Sequence, residues 1–364
     1  MNYINTITLL NFSLGPKNNT IKKIVDYFGD VEDIINNFHN YKDDLDFLSE
    51  KDKISIIDAI NSNYVNKIKK KIESNNINIV TKFDKEYPEK LKNIENSPFI
   101  LYTIGSVKDL NLINKNISIV GSRKATNYGK WVCKKFSKEL TQKGITITSG
   151  MALGIDSIAH KTCLENKGKT IAVLGSGIDV IYPKRNKNLY EDIKESGLVI
   201  SEFPIGSRVM PYNFPVRNRI ISGLSDGVLV VEASDKSGTL ITATYAGEQN
   251  KEIFAVPGNI DNYLSKGTNQ LIREGAKITT NLEDILEEFN WKSPGHGMVA
   301  KQEENEFDEI DKKILIYLKE GSKNILELSE KISIKQQNLL SKLTILEMKG
   351  IISQEKGKNF RLKN

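Results

Sequence analysis

Three stretches of this chain, ISIVGSRKATNYG, ITITSGMALGID and TIAVLGSGIDVIYP, share one grammar. Each runs from an apolar β-type segment through a turn on Gly121, on Gly150, or on Gly175 and Gly177, and then into a helical pattern. Repeated strand, turn and helix point to a doubly wound α/β sheet, mostly parallel. Such a sheet gathers its turns at the carboxyl ends of the strands, so the anion sites that turns and helix N-termini can form would share one crevice. Several phosphates in a row suggest a polymer. The alternative for any single turn is that its glycine serves only the backbone.

Two nucleotide-binding fingerprints are missing. No turn spells G-x-G-x-x-G with an acidic residue placed for a ribose hydroxyl, and no G-x-x-x-x-G-K-[ST] occurs. In the first turn the place of a further glycine is taken by Ser122, Arg123 and Lys124, a hydroxyl and two cations that suit a nucleic-acid phosphate. Downstream, FPVRNRIISGL, VVEASDKSGTLITA and FAVPG follow one another. Phe214 offers a π-face, and Arg217 and Arg219 flank the amide of Asn218 in a charged run that has no obvious place in a dry core. The plain alternative is a solvated helix start with Phe214 in the core.

These segments, with SGMALGIDSIAH, ISEFPIG, KSGTLITATYAGEQNKEIFAVPG and SKGTNQLIREGA, occur in order from about Phe83 to Ile285. Together they resemble the signature blocks of the DNA-processing protein A family, also called DprA or Smf. The resemblance implies an extended Rossmann-like domain that binds single-stranded DNA, dimerises, and helps load a RecA-type recombinase during natural transformation while protecting the incoming strand. One position departs: many relatives carry a basic residue three places before the Phe, where this chain has Pro211, leaving Arg208 and Tyr212 as nearby substitutes.

Composition is compatible with that reading. The 364 residues allow two or three domains, 39% hydrophobic content is enough for a core, and 52 Lys and Arg against 46 Asp and Glu give a net charge of +6. Basic runs at 122–124, 69–71 and 217–219 are candidate patches, although a lysine run on a helix is usually a solvated face. Cys133 and Cys163 sit in amphipathic helical patterns without metal-type spacing and read as reduced core thiols. No apolar run reaches the roughly 18 residues of a membrane span, and the first residues lack a cationic lead, so a cytoplasmic protein is expected.

Residues 1–76 read as short helices, a position that in the family resembles a sterile-alpha-motif or helix-hairpin-helix module, although Pro16-Lys17-Asn18-Asn19 is not a Gly-rich hairpin turn. Residues 77–289 form the α/β domain. A polar stretch with Pro294, two glycines and His296 reads as a linker over 290–305. Beyond it, 306–364 gives three helical patterns and two short β runs around Lys356-Gly357-Lys358, a winged-helix layout whose recognition helix, Ile334–Leu346, carries Lys335, Gln336, Gln337 and Lys342.

Two enzymatic readings compete with this one. The central fold also resembles nucleotide-sugar phosphoribohydrolases of the lysine-decarboxylase-like LOG family, whose P-G-G-x-G-T-x-x-E loop supplies a carboxylate. In this chain Thr242 stands where the Glu would be, and a hydroxyl cannot carry that charge. A nuclease needs metal-binding carboxylates, for which Asp156 and His160, spaced i, i+4, are the best pair. They read more simply as a helix cap and a hydrogen-bonded contact. Glu202 and Glu232, at strand ends, read as loop anchors. The expected site therefore places Gly121, Ser122, Arg123, Lys124, the Gly150 turn, Lys236, Ser237, Gly238 and Thr239 on phosphates. Phe214 stacks a base, and Asn213, Arg217, Asn218 and Arg219 line the same groove. No catalytic residue, metal or cofactor is expected, and the expected partners are single-stranded DNA, a RecA-type recombinase and a second copy, with no membrane.

Overall fold

A computed structural model of the chain describes residues 3–62, 64–105, 111, 113–291, 309–319, 321–332, 334, 336–348, 351–355 and 359–362. The chain divides into two compact units, Met1–Phe289 and Asn290–Asn364.

The first unit opens with five helices: α1 (Tyr3–Leu14), α2 (Asn18–Phe28), α3 (Asp33–Tyr41), α4 (Glu50–Asn61) and α5 (Tyr64–Ser74). Then follow β1 (Asn78–Thr81), α6 (Glu89–Lys92), β2 (Ile100–Gly105), β3 (Asn116–Val120), α7 (Asn127–Gln142), β4 (Thr146–Ser149), α8 (Ile155–Glu165) and β5 (Thr170–Val173). The unit closes with α9 (Lys187–Ser196), β6 (Leu198–Ser201), α10 (Asn213–Leu224), β7 (Gly227–Val230), α11 (Gly238–Glu248), β8 (Glu252–Ala255), α12 (Lys266–Arg273), β9 (Lys277–Ile278) and α13 (Glu283–Glu288).

The nine strands form one sheet in the order β1-β2-β6-β5-β4-β3-β7-β8-β9. β1 and β2 join it antiparallel, and every pairing from β6 to β9 is parallel. The expected doubly wound, mostly parallel sheet is therefore present. Its central strands are buried along their whole length, as strands covered by helices on both faces must be. Alternation sends successive side chains to opposite faces, as β5 and β6 show. Ile171 and Val173 pack with Ile220 and Ile221 of α10, while Ala172 and Val199 pack with Tyr190 and Ile193 of α9. Chain order runs outward from β3 in both directions, through β4 on one side and from β7 on the other. That reversal places a crevice beyond the carboxyl ends of β3 and β7.

The N-terminal helices share the α9 core. Ile7, Leu10, Ile21 and Phe38 are fully buried in this cluster, each burial contributing about 1.5–3 kcal/mol to folding. Polar pins fix the register: Asn11 donates its amide to the Glu202 carbonyl at 3.0 Å and accepts from the Tyr102 hydroxyl at 3.1 Å. Cys133 and Cys163 are free and buried, and burial pushes their thiols up to about 12 and about 11. Of the run at 69–71, Lys71 pairs with Asp179 at 2.7 Å. No helix among the described residues is long and apolar enough to cross a membrane.

The second unit contains α14 (Glu309–Lys319), β10 (Lys323–Asn324), α15 (Ile325–Ile332), α16 (Gln336–Met348), β11 (Ile352–Glu355) and β12 (Asn359–Leu362), with its strands antiparallel in the order β10-β12-β11. Ile314, Leu328, Leu339, Leu343 and Phe360 fill its core. β10, only two residues long, was not anticipated from the sequence; it forms because Lys323 and Asn324 pair with Phe360 and Asn359. On α16, Lys342 faces Asp311 at 3.4 Å, and Leu340 and Ile345 are exposed. Lys335, the side chain of Gln337, the turn at 356–358, and 292–305 of the expected linker with His296 lie outside the described residues.

Candidate nucleic-acid interface

A groove of about 540 Å³ lies at the crevice beyond β3 and β7. One wall is the turn after β3, Gly121 to Arg123. Facing it are the first turn of α10, with Phe214, Arg217 and Asn218, and the loop into α11, with Ser237 to Thr239. Most of the residues expected to act together do meet here.

Phe214 is half-buried, borders the groove, and lies outside the clusters formed around α9 and around the α10 face of the sheet. Its ring lies 5.7 Å from that of Tyr182, which also borders the groove and is 43% exposed. The Arg123 guanidinium sits 5.4 Å from the Phe214 ring centre and that of Arg217 5.9 Å. Room for the ring comes from Gly175, where an added Cβ would come within 2.9 Å of Phe214 Cδ1. Asn213 sets the position of the helix from below, donating its buried amide to the Gly175 carbonyl at 3.1 Å.

The basic run of α10 corrects the expectation that charge has no place in a dry interior, because both arginines are buried, with 4% and 3% of their surface exposed. Each is satisfied differently. Arg217 donates through Nη1 to the carbonyls of Gly150, at 2.8 Å, and Val173, and through Nε to the Asn218 side chain at 3.2 Å. Nη2 has no hydrogen-bond partner among the described residues, and Arg217 borders the groove. Burial lowers this guanidinium to about 10, with Asp156 opposing the shift, so it is charged at neutral pH.

Arg219, in contrast, does not reach the groove. Two residues further along a helix of 3.6 residues per turn, it points to the opposite side. There it clamps Glu202 through two bonds of 2.6 Å, with Glu202 only 1% exposed. Asn18 of α2 donates to the same carboxylate at 3.1 Å. The expected loop-anchoring role of Glu202 thus extends to the N-terminal helices. Glu232 similarly accepts from the Thr126 backbone at 2.9 Å and from its hydroxyl, under the start of α7.

The three glycine turns also differ from one another. At the first, Arg123 and Lys124 are exposed, whereas the Ser122 N–H donates to the Glu232 carbonyl at 2.8 Å and its hydroxyl accepts from Lys124 N–H at 3.1 Å. Gly121 is required because a Cβ there would come within 2.6 Å of Ile155. At the Gly150 turn the protein supplies its own anion: Asp156 accepts from the N–H groups of Gly150 at 3.1 Å and Ala152 at 3.3 Å. The donors expected to hold a phosphate at that turn are taken. Burial raises the Asp156 carboxyl above its ordinary value, against the lowering pull of Arg217 and the two backbone donors. At the α11 loop, Ser237 caps the helix by accepting from Thr239 N–H at 3.2 Å, Asn218 donates to the Gly238 carbonyl at 3.3 Å, and Lys236 is exposed.

Thr242 borders the groove and is 2% exposed, and among the described residues Asp156 is the one carboxylate bordering it, already engaged with backbone donors. His160 is fully buried with Nδ1 2.6 Å from the Thr170 hydroxyl, and no cluster of metal-ligating side chains exists among the described residues. Tyr182 is a groove aromatic that sequence reasoning missed; its signal was an aromatic five residues after Gly177 of the third turn. Pro211 borders the groove, while Arg208 and Tyr212 are exposed and do not line it.

The sequence profile of the family described as DNA recombination-mediator protein A matches residues 78–290. Protein Smf of Synechocystis sp. is 43% identical over 216 residues, 59% of this chain and 54% of that protein. The DNA processing protein DprA of Bacillus subtilis is 43% identical over 215 residues, 58% of this chain and 71% of that one. The matches thus cover little more than half of the first relative's length. Among solved structures, DNA processing protein A of Streptococcus pneumoniae superimposes with a TM-score of 0.66 at 34% identity, covering 79% of this chain and 98% of that one. The Helicobacter pylori protein, solved for its single-stranded DNA binding mode, gives a TM-score of 0.52 at 30% identity over 58% of this chain and 95% of its own. With the fold, the crevice and the matched span in agreement, the chain belongs to the DNA recombination-mediator protein A family.

Proposed function

We propose that the first unit binds single-stranded DNA in the groove between β3 and β7 and performs no chemistry on it. One observation carries this reading: Phe214 borders the crevice, partly exposed, with the Arg123 and Arg217 guanidiniums close to its ring and Tyr182 alongside. Stacking on such a ring needs an unpaired base, and the free donors of Arg123, Lys124, Lys236 and Arg217 Nη2 suit the phosphates beside it. In the cell the protein processes DNA during natural transformation, protecting the incoming strand and helping to load a RecA-type recombinase as a homodimer. The family resemblance supports that wider role.

The test separates the two kinds of contact. Phe214→Ala should weaken single-strand binding by ~1–3 kcal/mol, roughly 5- to 150-fold, with its salt dependence unchanged, because stacking releases no counterions. Arg123→Ala should weaken binding to all sequences alike and flatten the slope of log K against log salt by about 0.7, the value for one phosphate on a single strand. Equal slopes in the two variants would refute the assigned roles.

A further inference from the structure

From Arg123 to Lys138 the chain carries Arg123, Lys124, Lys130, Lys134, Lys135 and Lys138 and no acidic residue. These six cations equal the net charge of the whole chain, +6. The segment is the groove turn followed directly by α7. On α7, Tyr128 and Trp131 are 44% and 61% exposed, one turn apart on the same face. Lys135, a further turn along, lies 5.8 Å from the Trp131 ring centre. Lys124, Lys130, Lys134 and Lys138 are exposed, and their ammonium groups have no hydrogen bond or ion pair among the described residues. Tyr128 donates its hydroxyl to the Pro257 carbonyl at 3.1 Å, just past β8, which fixes the start of α7 at the same carboxyl edge as the groove. A tryptophan this exposed, surrounded by unpaired lysines, matches base faces and phosphates in both shape and charge.

We propose that the single strand runs out of the groove and over the outer face of α7, where Trp131 and Tyr128 stack bases and Lys124, Lys130 and Lys134 bind phosphates. This rests on the groove reading, so the experiment must be able to fail separately. It uses the full chain and two thymidine oligonucleotides, one of about six residues to fill the groove and one of about 20 to reach α7. With Trp291→Phe, Trp131 becomes the one tryptophan and reports directly. The long oligonucleotide should quench its emission on binding. Trp131→Ala, and independently the pair Lys130→Glu with Lys134→Glu, should lower affinity for the long oligonucleotide about tenfold and leave the short one unchanged. Phe214→Ala should weaken both.

If both oligonucleotides bind in a Phe214-dependent way while Trp131 emission and the α7 variants are indifferent, the extension is wrong and the groove stands. If Phe214→Ala changes neither, the groove reading fails first. Trp131 emission that shifts with protein concentration in the absence of DNA would assign this face to a second copy of the chain and overturn the proposal.

Discussion

Replacing Arg219 by leucine separates a structural arginine from a DNA contact. Arg219 and Glu202 are 3% and 1% exposed and joined by two bonds of 2.6 Å. Arg219 also donates to the carbonyls of Asn96 and Val216, both at 3.1 Å. Removing the guanidinium leaves a buried carboxylate whose remaining hydrogen-bond partner among the described residues is the Asn18 amide, and breaking a buried pair in this way costs about 3–5 kcal/mol. Replacing both partners by leucine removes the stranded charge, so the double variant should recover much of that loss. The assay is denaturant unfolding of the full chain followed by circular dichroism, with single-strand affinity measured under conditions where each variant is folded. Arg219→Leu should be strongly destabilised, the double variant more stable than the single one, and both should bind single-stranded DNA as the parent does. A normally stable Arg219→Leu that has lost DNA affinity would place Arg219 back in the groove. A double variant no more stable than the single one would refute the argument from stranded charge.

Two further outcomes follow from the buried groups. Burial, reinforced by the charge of Arg217, lowers the His160 imidazole from 6.5 to about 3, so the unfolded chain binds one more proton between those values. Stability from this residue is complete above pH 6.5 and falls by roughly 1.4 kcal/mol per pH unit on acidification toward pH 3; His160→Gln should lose that slope in acid unfolding curves, and an unchanged slope would show that another group carries it. With Thr242 where a hydrolase carries its carboxylate, nucleoside monophosphates and single-stranded DNA with magnesium or manganese should remain intact by chromatography. Release of free base, abolished by substitution within 236–242, would reverse the choice between binder and enzyme.

The sheet was legible in the sequence because its strands are apolar runs punctuated by glycine, and that pattern follows directly from burial on both faces. The groove was legible to the extent that the switch point of a doubly wound sheet gathers specified turns. Pairwise satisfaction was not legible. Arg217 and Arg219 look alike in R-N-R, and only the rotation of α10 sends one toward Gly150 and the other to Glu202. The Gly150 turn looked like an anion site, and it is one, but Asp156 from the following helix fills it. Nor does residue order show that Ile7 to Phe38 share a core with α9, because a contact that distant in sequence leaves no local periodicity.

The central claim, that an open groove with an accessible aromatic platform selects unpaired bases, is tested most directly by one comparison: the affinity of the full chain for a single-stranded oligonucleotide and for the blunt duplex of the same sequence, across a salt series. The account predicts much tighter binding of the single strand at every salt concentration, with affinity falling as salt rises. Equal affinity for the blunt duplex at ordinary salt would contradict it.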